Sequence, residues 1–338
     1  MKRIINENKN FIRQFLIVSS ILILIPIFIR RPFQMNVLIL CVIWAIMGLG
    51  WNIIGGYGGQ VSNGHALFLG IGAYVGAMTM KYLQMTPWIS FIFSVLLCMA
   101  VAFVIGTPLL RLRDHVFAIS SQVLVEICRI IFLNWTFIGG ATGLSFFNQN
   151  LSEWYTWQFA DKHPFYYICL AFMLICVLLT KVFQESRFGY YCRAIKANQD
   201  SAESTGVYAA KYKRLAYMCS AGMVGVAGAL YAEYLQYVDP NVIMPLSNSM
   251  LIVLVAVMGG TGTVWGPVLG AFLMMHINEY ARSYFVQYNG LNLVIYGILV
   301  ILVVLFIPNG LISLFNKERL VTIKIRLQKK KKTGGEAA

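Results

Sequence analysis

Long apolar runs separated by short polar stretches dominate this chain. Runs of about twenty apolar residues cross a ~30 Å hydrocarbon core as helices. Such runs occur at Phe11–Ile29, Met35–Ile54, His65–Leu83, Trp88–Leu109, Val116–Leu133, Pro164–Val182 and Leu215–Leu235. A longer run, Ser247–Tyr280, is broken by glycines, and a last one covers Leu291–Ile307. Phe11–Ile29 is not followed by a small-residue cleavage site, which predicts a retained first span and not a signal peptide.

Composition agrees. Of 338 residues, 59% are hydrophobic and 12% charged, and the mean hydropathy is +0.69. A soluble domain is about half apolar and a quarter charged, and a disordered chain is more polar still. The seven cysteines form no CxxC pair and read as small core residues. The four histidines share no ligand spacing, so no metal site is expected.

The net charge of +14 would suit nucleic acid if it were spread or patched. Thirteen of those charges fall instead in three segments: residues 1–13 (net +3), 181–214 (net +4) and 316–338 (net +6). Basic residues beside spans mark the cytoplasmic side. Both termini and the 181–214 segment are therefore expected in the cytoplasm, and nucleic acid is not an expected partner. Six spans then bring the chain back inside at 183–214, as required. The seventh leaves, so Ser247–Tyr280 must cross twice or not at all. Its 34 residues would be about 50 Å long as one helix. The total is ten spans, or eight with a re-entrant loop.

Two stretches read as broken helices. The first, Gly56–Ala77, is GYGGQVSNGHALFLGIGAYVGA. Irregular backbone at membrane depth is tolerated only inside protein or along a water cavity. A helix that restarts there aims bare N–H groups and a positive dipole end inward, which suits a carboxylate or carbonyl oxygen. Ser62, Asn63 and His65 cluster at that restart. The second, Val255–Ala271, repeats a Gly-Gly break with small polar residues, Thr261 and Thr263 among them. Both are candidates for lining a transport path, and close helix packing is the competing reading.

Glu126 and Arg129 share one helix face by their i,i+3 spacing. Glu126 lies about 16 Å along the helix from His115, near the bilayer centre. The spacing predicts an intramembrane ion pair that satisfies itself and locks two helices, with a place on the path as the other reading. There is no Gly-Lys dipeptide, so a P-loop is impossible and any ATP must bind to a partner.

The segment Ser186–Arg214 is patterned rather than a plain linker. Asp200 and Glu203 form a D-x-x-E capping signal and Gly206 suits a helix stop. A helix of one to two turns after Asn198 is predicted, with Ala202, Thr205 and Val207 free to dock on another protein.

Five blocks in order carry a family resemblance from Ala45 to Leu314. They are Gly56–Ala77; LRLRDHVFAI (Leu110–Ile119) followed by VEICR; IGGATGLS (Ile138–Ser145); Ser186–Ala232; and VMGGTGTVWGPVLGA (Val257–Ala271) with LVVLFIPNGL (Leu302–Leu311). The chain resembles permease subunits of branched-chain amino acid ABC transporters, in the LivM-like branch. The resemblance implies a second related permease subunit, cytoplasmic ABC ATPases that bind ATP and Mg, and an extracytoplasmic substrate-binding protein. It implies no cofactor on this chain, no enzymatic activity of its own and a bacterial plasma-membrane location. Asp200, Ser201 and Ala202, with Glu203 and Gly206, stand where such permeases carry the segment that docks on the ATPase. Ser201 departs from the usual Ala there. Asp114 stands where Gly is common after LRLR, and Ser120, Ser121 and Gln122 replace a Thr-Leu-containing run.

The expected architecture is an all-α, polytopic membrane helical bundle with eight to ten transmembrane helices and Gly-broken or re-entrant segments. A transmembrane permease domain covers 1–315, with the coupling segment at 186–214. A basic cytoplasmic tail covers 316–338 and lies against anionic lipid. The expected cargo is leucine, isoleucine and valine. A urea or short-amide permease of the same family and an ion-coupled secondary carrier are the rivals.

Overall fold

The computed structural model describes residues 2–29, 31–112, 114–146, 156–157, 159, 161–284 and 310–315, with single positions between 294 and 305. The expected last span, Leu291–Ile307, falls outside the described residues apart from those positions, and the basic tail 316–338 falls outside them entirely.

The described part is almost wholly helical. In chain order it comprises α1 (Lys2–Phe28), α2 (Pro32–Asn52), α3 (His65–Leu83), α4 (Pro87–Leu109), α5 (Asp114–Asn134) and α6 (Lys162–Glu185). Then come α7 (Arg187–Ala197), α8 (Gln199–Ser204), α9 (Ala209–Leu235), α10 (Pro240–Ile243), α11 (Leu246–Gly259) and α12 (Gly266–Tyr284). One antiparallel pairing, β1 (Leu144–Ser145) with β2 (Tyr237–Val238), ties the turn after α5 to the end of α9. Among the described residues, eight helical segments are long and apolar enough to cross a membrane.

Local chemistry sets the ends. Proline opens α2 and α4, where its missing N–H costs nothing. The Asp161 side chain accepts from the His163 amide to start α6. Gln84 and Gln236 end α3 and α9 in the left-handed conformation.

The Ser247–Tyr280 run does not form one helix. It folds as α11 and α12, broken between Gly260 and Trp265. The two helices pack directly together. A Cβ on Gly270 would lie 2.0 Å from the Val255 carbonyl oxygen, and one on Gly259 would lie 1.7 Å from that of Gly266. At 14 residues, α11 is about 21 Å long by itself.

The centre of the bundle is α2, which packs on α6, α9, α11 and α12. In its most apolar window 94% of residues are buried, against 11% for α1 and 17% for α5. A protein driven only by apolar burial has no such preference in lipid, because the tails are as apolar as leucine. Close backbone packing at small residues supplies the order instead. Thus α9 meets α3 at Gly72, where a Cβ would sit 2.1 Å from the Gly225 carbonyl oxygen, and α4 where Gly225 faces Cys98 Sγ. Gly228 faces the Leu69 carbonyl at 2.2 Å in the same sense.

Gly72→Ala is expected to force α3 and α9 apart, at a cost of about 1–3 kcal/mol. Loss of monodisperse protein on heating in detergent should occur at a lower temperature. Gly297→Ala, whose Cβ meets nothing within 4 Å among the described residues, should behave like the native chain.

Candidate functional site

The first break lies at the end of α2. The helix loosens into a π-helical turn over Ile53–Tyr57, then an irregular stretch runs to Gly64 before α3 begins at His65. Glycines at 55, 56, 58 and 59 allow the chain to leave α-geometry. The freed backbone groups are not left bare. Gly58 N–H donates to Ile53 O and Gln60 N–H to Ile54 O, each at 3.1 Å. The Trp51 indole donates to Ser62 O at 2.8 Å. Lys196 from α7 donates to Gly56 O at 2.6 Å.

The second break, between α11 and α12, meets the first. Asn52 joins them: its amide nitrogen donates to Thr263 O at 2.9 Å, and its amide oxygen accepts from Gly262 N–H at 2.8 Å. Asn52 is completely buried. A Cβ on Gly56 would lie 2.6 Å from Gly262 N, so glycine is required for this approach. Thr263 Oγ1 donates to Gly260 O at 2.7 Å and accepts from Gly266 N–H at 3.1 Å, and so helps start α12. Thr261 is exposed.

The restart of α3 differs from the expectation of bare N–H groups. Hydroxyls from α5, α11 and the irregular stretch itself accept from amides at and just before the restart. Asn63 N–H donates to Ser121 Oγ on α5 (3.0 Å), Gly64 N–H to Ser62 Oγ (3.3 Å) and Ala66 N–H to Ser249 Oγ on α11 (2.9 Å). His65 is fully buried, shares a 2.7 Å hydrogen bond with Ser220 Oγ of α9, and stands edge-on to Phe68 and Tyr217. Ser62 is buried and Asn63 half-buried. The structure therefore gathers Ser62, Asn63 and His65 at one restart and Thr261 and Thr263 at the other, with Asn52 between the breaks.

Beside the first break lies the α7–α8 segment. Its helix after Asn198 is present, but the cap is Asn198, whose Oδ1 accepts from Ser201 N–H at 2.9 Å. Asp200 falls inside the first turn, and Glu203 accepts from Gln199 at 2.9 Å instead of closing a capping box. Asn198 won because its backbone is extended, as an N-cap requires. Gly206 ends the segment at φ +89°. Ala202 is not free for an outside partner: it packs inward with Ile195 and Ala209, while Asp200, Ser201, Glu203, Thr205 and Gly206 are exposed. A polar cavity of about 220 Å³ separates α7–α8 from the break, lined by Gly59, Gln60, Lys196, Gln199 and Lys213 among others. Burial against the loop pulls the Lys196 ammonium below the ordinary lysine range.

Glu126 and Arg129 do pair, through Arg129 Nε to Glu126 Oε2 at 3.0 Å and Arg129 Nη2 to Oε1. Arg129 Nη1 also donates to Asn241 Oδ1 of α10 at 2.6 Å. The pair is open to the outside of α5, not enclosed. Among the described residues the buried acid is another one: Glu233 in α9 is 3% exposed, and neither carboxylate oxygen has a hydrogen-bond donor there. Among the described residues no group of three His, Cys, Asp or Glu side chains gathers to hold a metal.

The sequence reading missed Asn52, Ser220, Ser249 and Lys196, and noted Ser121 only as a departure from the family pattern. Asn52 did carry a signal, as a lone amide inside an apolar run next to Gly-Gly. The serines carried none, because any of them could face lipid, core or path.

Interrupted helices that meet inside a multi-pass bundle, with a surface helical segment tied to the break, define a membrane protein of the permease type. Comparison with known proteins agrees. The model of the family described as branched-chain amino acid transport system / permease component matches residues 34–304, and the chain belongs to that family. It is 26% identical over 328 residues to the high-affinity branched-chain amino acid transport system permease protein LivM of Escherichia coli, covering 90% of this chain and 76% of that one. It is 23% identical over 296 residues to LivH of the same organism, covering 80% and 91%. Over a shorter stretch of 74 residues it is 31% identical to a tyrosine transport system permease protein of Clostridioides difficile, covering 22% and 25%. No solved structure matches the chain.

Asn52→Leu keeps the bulk but orphans the Gly262 amide and the Thr263 carbonyl, at about 1–3 kcal/mol for each buried group. Amide hydrogen exchange over 260–266 should accelerate at least tenfold. Lys196→Met should do the same over 56–60 and leave 260–266 close to native.

Proposed function

We propose that the chain is the membrane-spanning permease subunit of an ATP-binding-cassette importer that carries branched-chain amino acids across the bacterial plasma membrane. The observation that carries this reading is the family match over residues 34–304. The naming of relatives from both the LivM and LivH branches supports a second, related permease subunit as partner. ATP and Mg sit on cytoplasmic ATPase partners, since this sequence has no Gly-Lys dipeptide and hence no P-loop. An extracytoplasmic binding protein delivers the cargo. The basic segments support a cytoplasmic position for both termini and α7–α8.

In this reading Asp200, Ser201, Glu203 and Gly206 present the coupling surface to an ATPase, and Ala202 anchors that surface from beneath. Movement of α7–α8 reaches the break directly through the hydrogen bond from Lys196 to Gly56 O. From there Asn52 carries it to the turn between α11 and α12. Ser62, Asn63, His65, Thr261 and Thr263 lie at the two restarts that this motion would rearrange. The serine hydroxyls now occupying the α3 amides describe a closed arrangement. Opening would release Asn63 and Ala66 N–H groups toward a carboxylate or carbonyl oxygen.

The test is uptake by the complete complex in proteoliposomes, with labelled leucine or labelled urea, each with and without ATP. Leucine uptake that requires ATP is expected. ATP-dependent urea uptake would keep the architecture and replace the cargo, and uptake indifferent to ATP but driven by an ion gradient would sink the importer reading. Within that assay Gly206→Pro is informative. Proline cannot adopt the φ of +89° found here, and it removes the 2.9 Å bond from Gly206 N–H to Glu203 O. ATP hydrolysis should continue while leucine uptake falls at least tenfold. Normal coupled uptake would count against docking at this segment.

A further inference from the structure

The Glu126–Arg129 pair sits in the wrong place for a structural ion pair. Its helix, α5, belongs to the candidate membrane span His115–Asn134. Glu126 is the thirteenth of the 21 residues of Asp114–Asn134, about 18 Å of helix from one end and about 12 Å from the other. Yet the side chains are open, 49% for Glu126 and 23% for Arg129. An ionised group that faces lipid at the centre of a span costs about 3 kcal/mol or more, and such groups face a protein interior or a water cavity instead. Glutamate has only two methylenes, too few to snorkel out over that distance. The interior of this bundle is not where the pair points. The surface of α5 that carries it is therefore wet, or is covered by something polar.

The contacts also fix the geometry of the pair. Arg129 is held in a fixed orientation by the Glu126 carboxylate on one side and Asn241 of α10 on the other. Gln122 lies one turn back on the same face as Glu126. Ser121, five residues before Glu126, accepts from Asn63 N–H at the α3 restart. Ser121 is buried while Glu126 is open, so the two lie about 140° apart round α5 and the break stands behind the pair, about 7.5 Å along the helix. Beside it Ile119, Val123, Ile127 and Ile130 form an exposed apolar stripe, 47–63% accessible. That stripe suits the apolar flank of a second permease chain.

We infer that Glu126 and Arg129 line a water-filled passage between this chain and a second, related permease chain, and hold a zwitterionic α-amino acid in transit. Its carboxylate lies on the Arg129 guanidinium and its ammonium on the Glu126 carboxylate. This inference rests on the cargo class proposed above. The fit is one of charge: a zwitterion offers the same two charges that the pair already balances against each other. Exchanging partners therefore leaves no ion uncompensated at membrane depth. A planar fork also takes a carboxylate through two parallel hydrogen bonds. A neutral amide would gain nothing from the exchange.

The first test reads water. Gln122→Cys, in the complete complex in proteoliposomes, is treated with a charged, membrane-impermeant methanethiosulfonate, and labelling above that of the native chain is followed. Labelling that leucine slows at least fivefold is expected. Protection should need both charges, so leucinamide and 4-methylpentanoate should fail to protect. A cysteine labelled in the isolated chain in detergent but not in the complex would mark a dry subunit contact and overturn the inference. So would one reached only by a lipid-soluble maleimide. The second test is transport: the double change Glu126→Gln with Arg129→Gln should lower leucine uptake at least tenfold while ATP hydrolysis persists. Unchanged uptake would overturn the role in holding cargo. If the native complex carries urea and not leucine, the cargo proposal fails in the uptake assay, and the pair's role as a zwitterion holder fails with it. Labelling of Gln122→Cys still decides whether the passage is wet.

Discussion

Lipid offers no hydrogen bonds, so every polar group of the backbone at membrane depth must find its partner inside the protein. The rest of this structure follows from how that constraint is met at two places where the helical ladder stops. At the end of α2 the partners are a tryptophan indole and a lysine ammonium. At the start of α3 they are serine hydroxyls from α5 and α11. Between the breaks, one asparagine amide satisfies a carbonyl and an N–H at once. These partners come from four elements, α2, α5, α7 and α11. The breaks therefore hold the bundle together while remaining its least regular parts.

Close packing supplies the frame around them. Helices in lipid gain little from burying more apolar surface against each other, so they associate where small residues let backbones touch. That is why α9 meets α3 and α4 at Gly72, Gly225 and Gly228. It is also why the most buried helix, α2, carries the break: only a fully enclosed helix can lose its ladder at membrane depth without exposing backbone to lipid.

The same economy links the surface to the interior. The α7–α8 segment is small, with a core of Ile195, Ala202 and Ala209. It reaches the break through one lysine, whose ammonium is desolvated where it meets Gly56 O. A single charge-assisted bond is a weak strut, worth about 1.5–3 kcal/mol. A weak strut suits the coupling motion proposed for α7–α8, and the glycine break it grips has little helical stiffness to resist. The open pair on α5 belongs to the same logic. Its two charges are balanced against each other and by Asn241, on the side of α5 turned away from the bundle interior.

Much of this was legible in the order of residues. Run length and hydropathy specify the spanning helices, because a segment in lipid has no other way to satisfy its backbone. Gly-Gly steps at 55–56 and 259–260 mark the breaks, because glycine is where helical order is cheapest to lose. The capped helix after Asn198 was legible too, although its cap moved from Asp200 to Asn198 because backbone conformation chooses among adjacent candidates. Partner choice was not legible. The groups that satisfy the breaks lie 58, 183 and 211 positions away from the groups they bond. Nothing local distinguishes Ser121 or Ser249 from any other serine in an apolar run. Nor could spacing alone tell that Glu126 and Arg129 face outward while Glu233 is buried, since periodicity places residues on a common face but not which way that face turns. Span, break and family were properties of the sequence. Only tertiary packing decided which side chains close the breaks and which charges stay open, because those depend on how distant helices are set against one another.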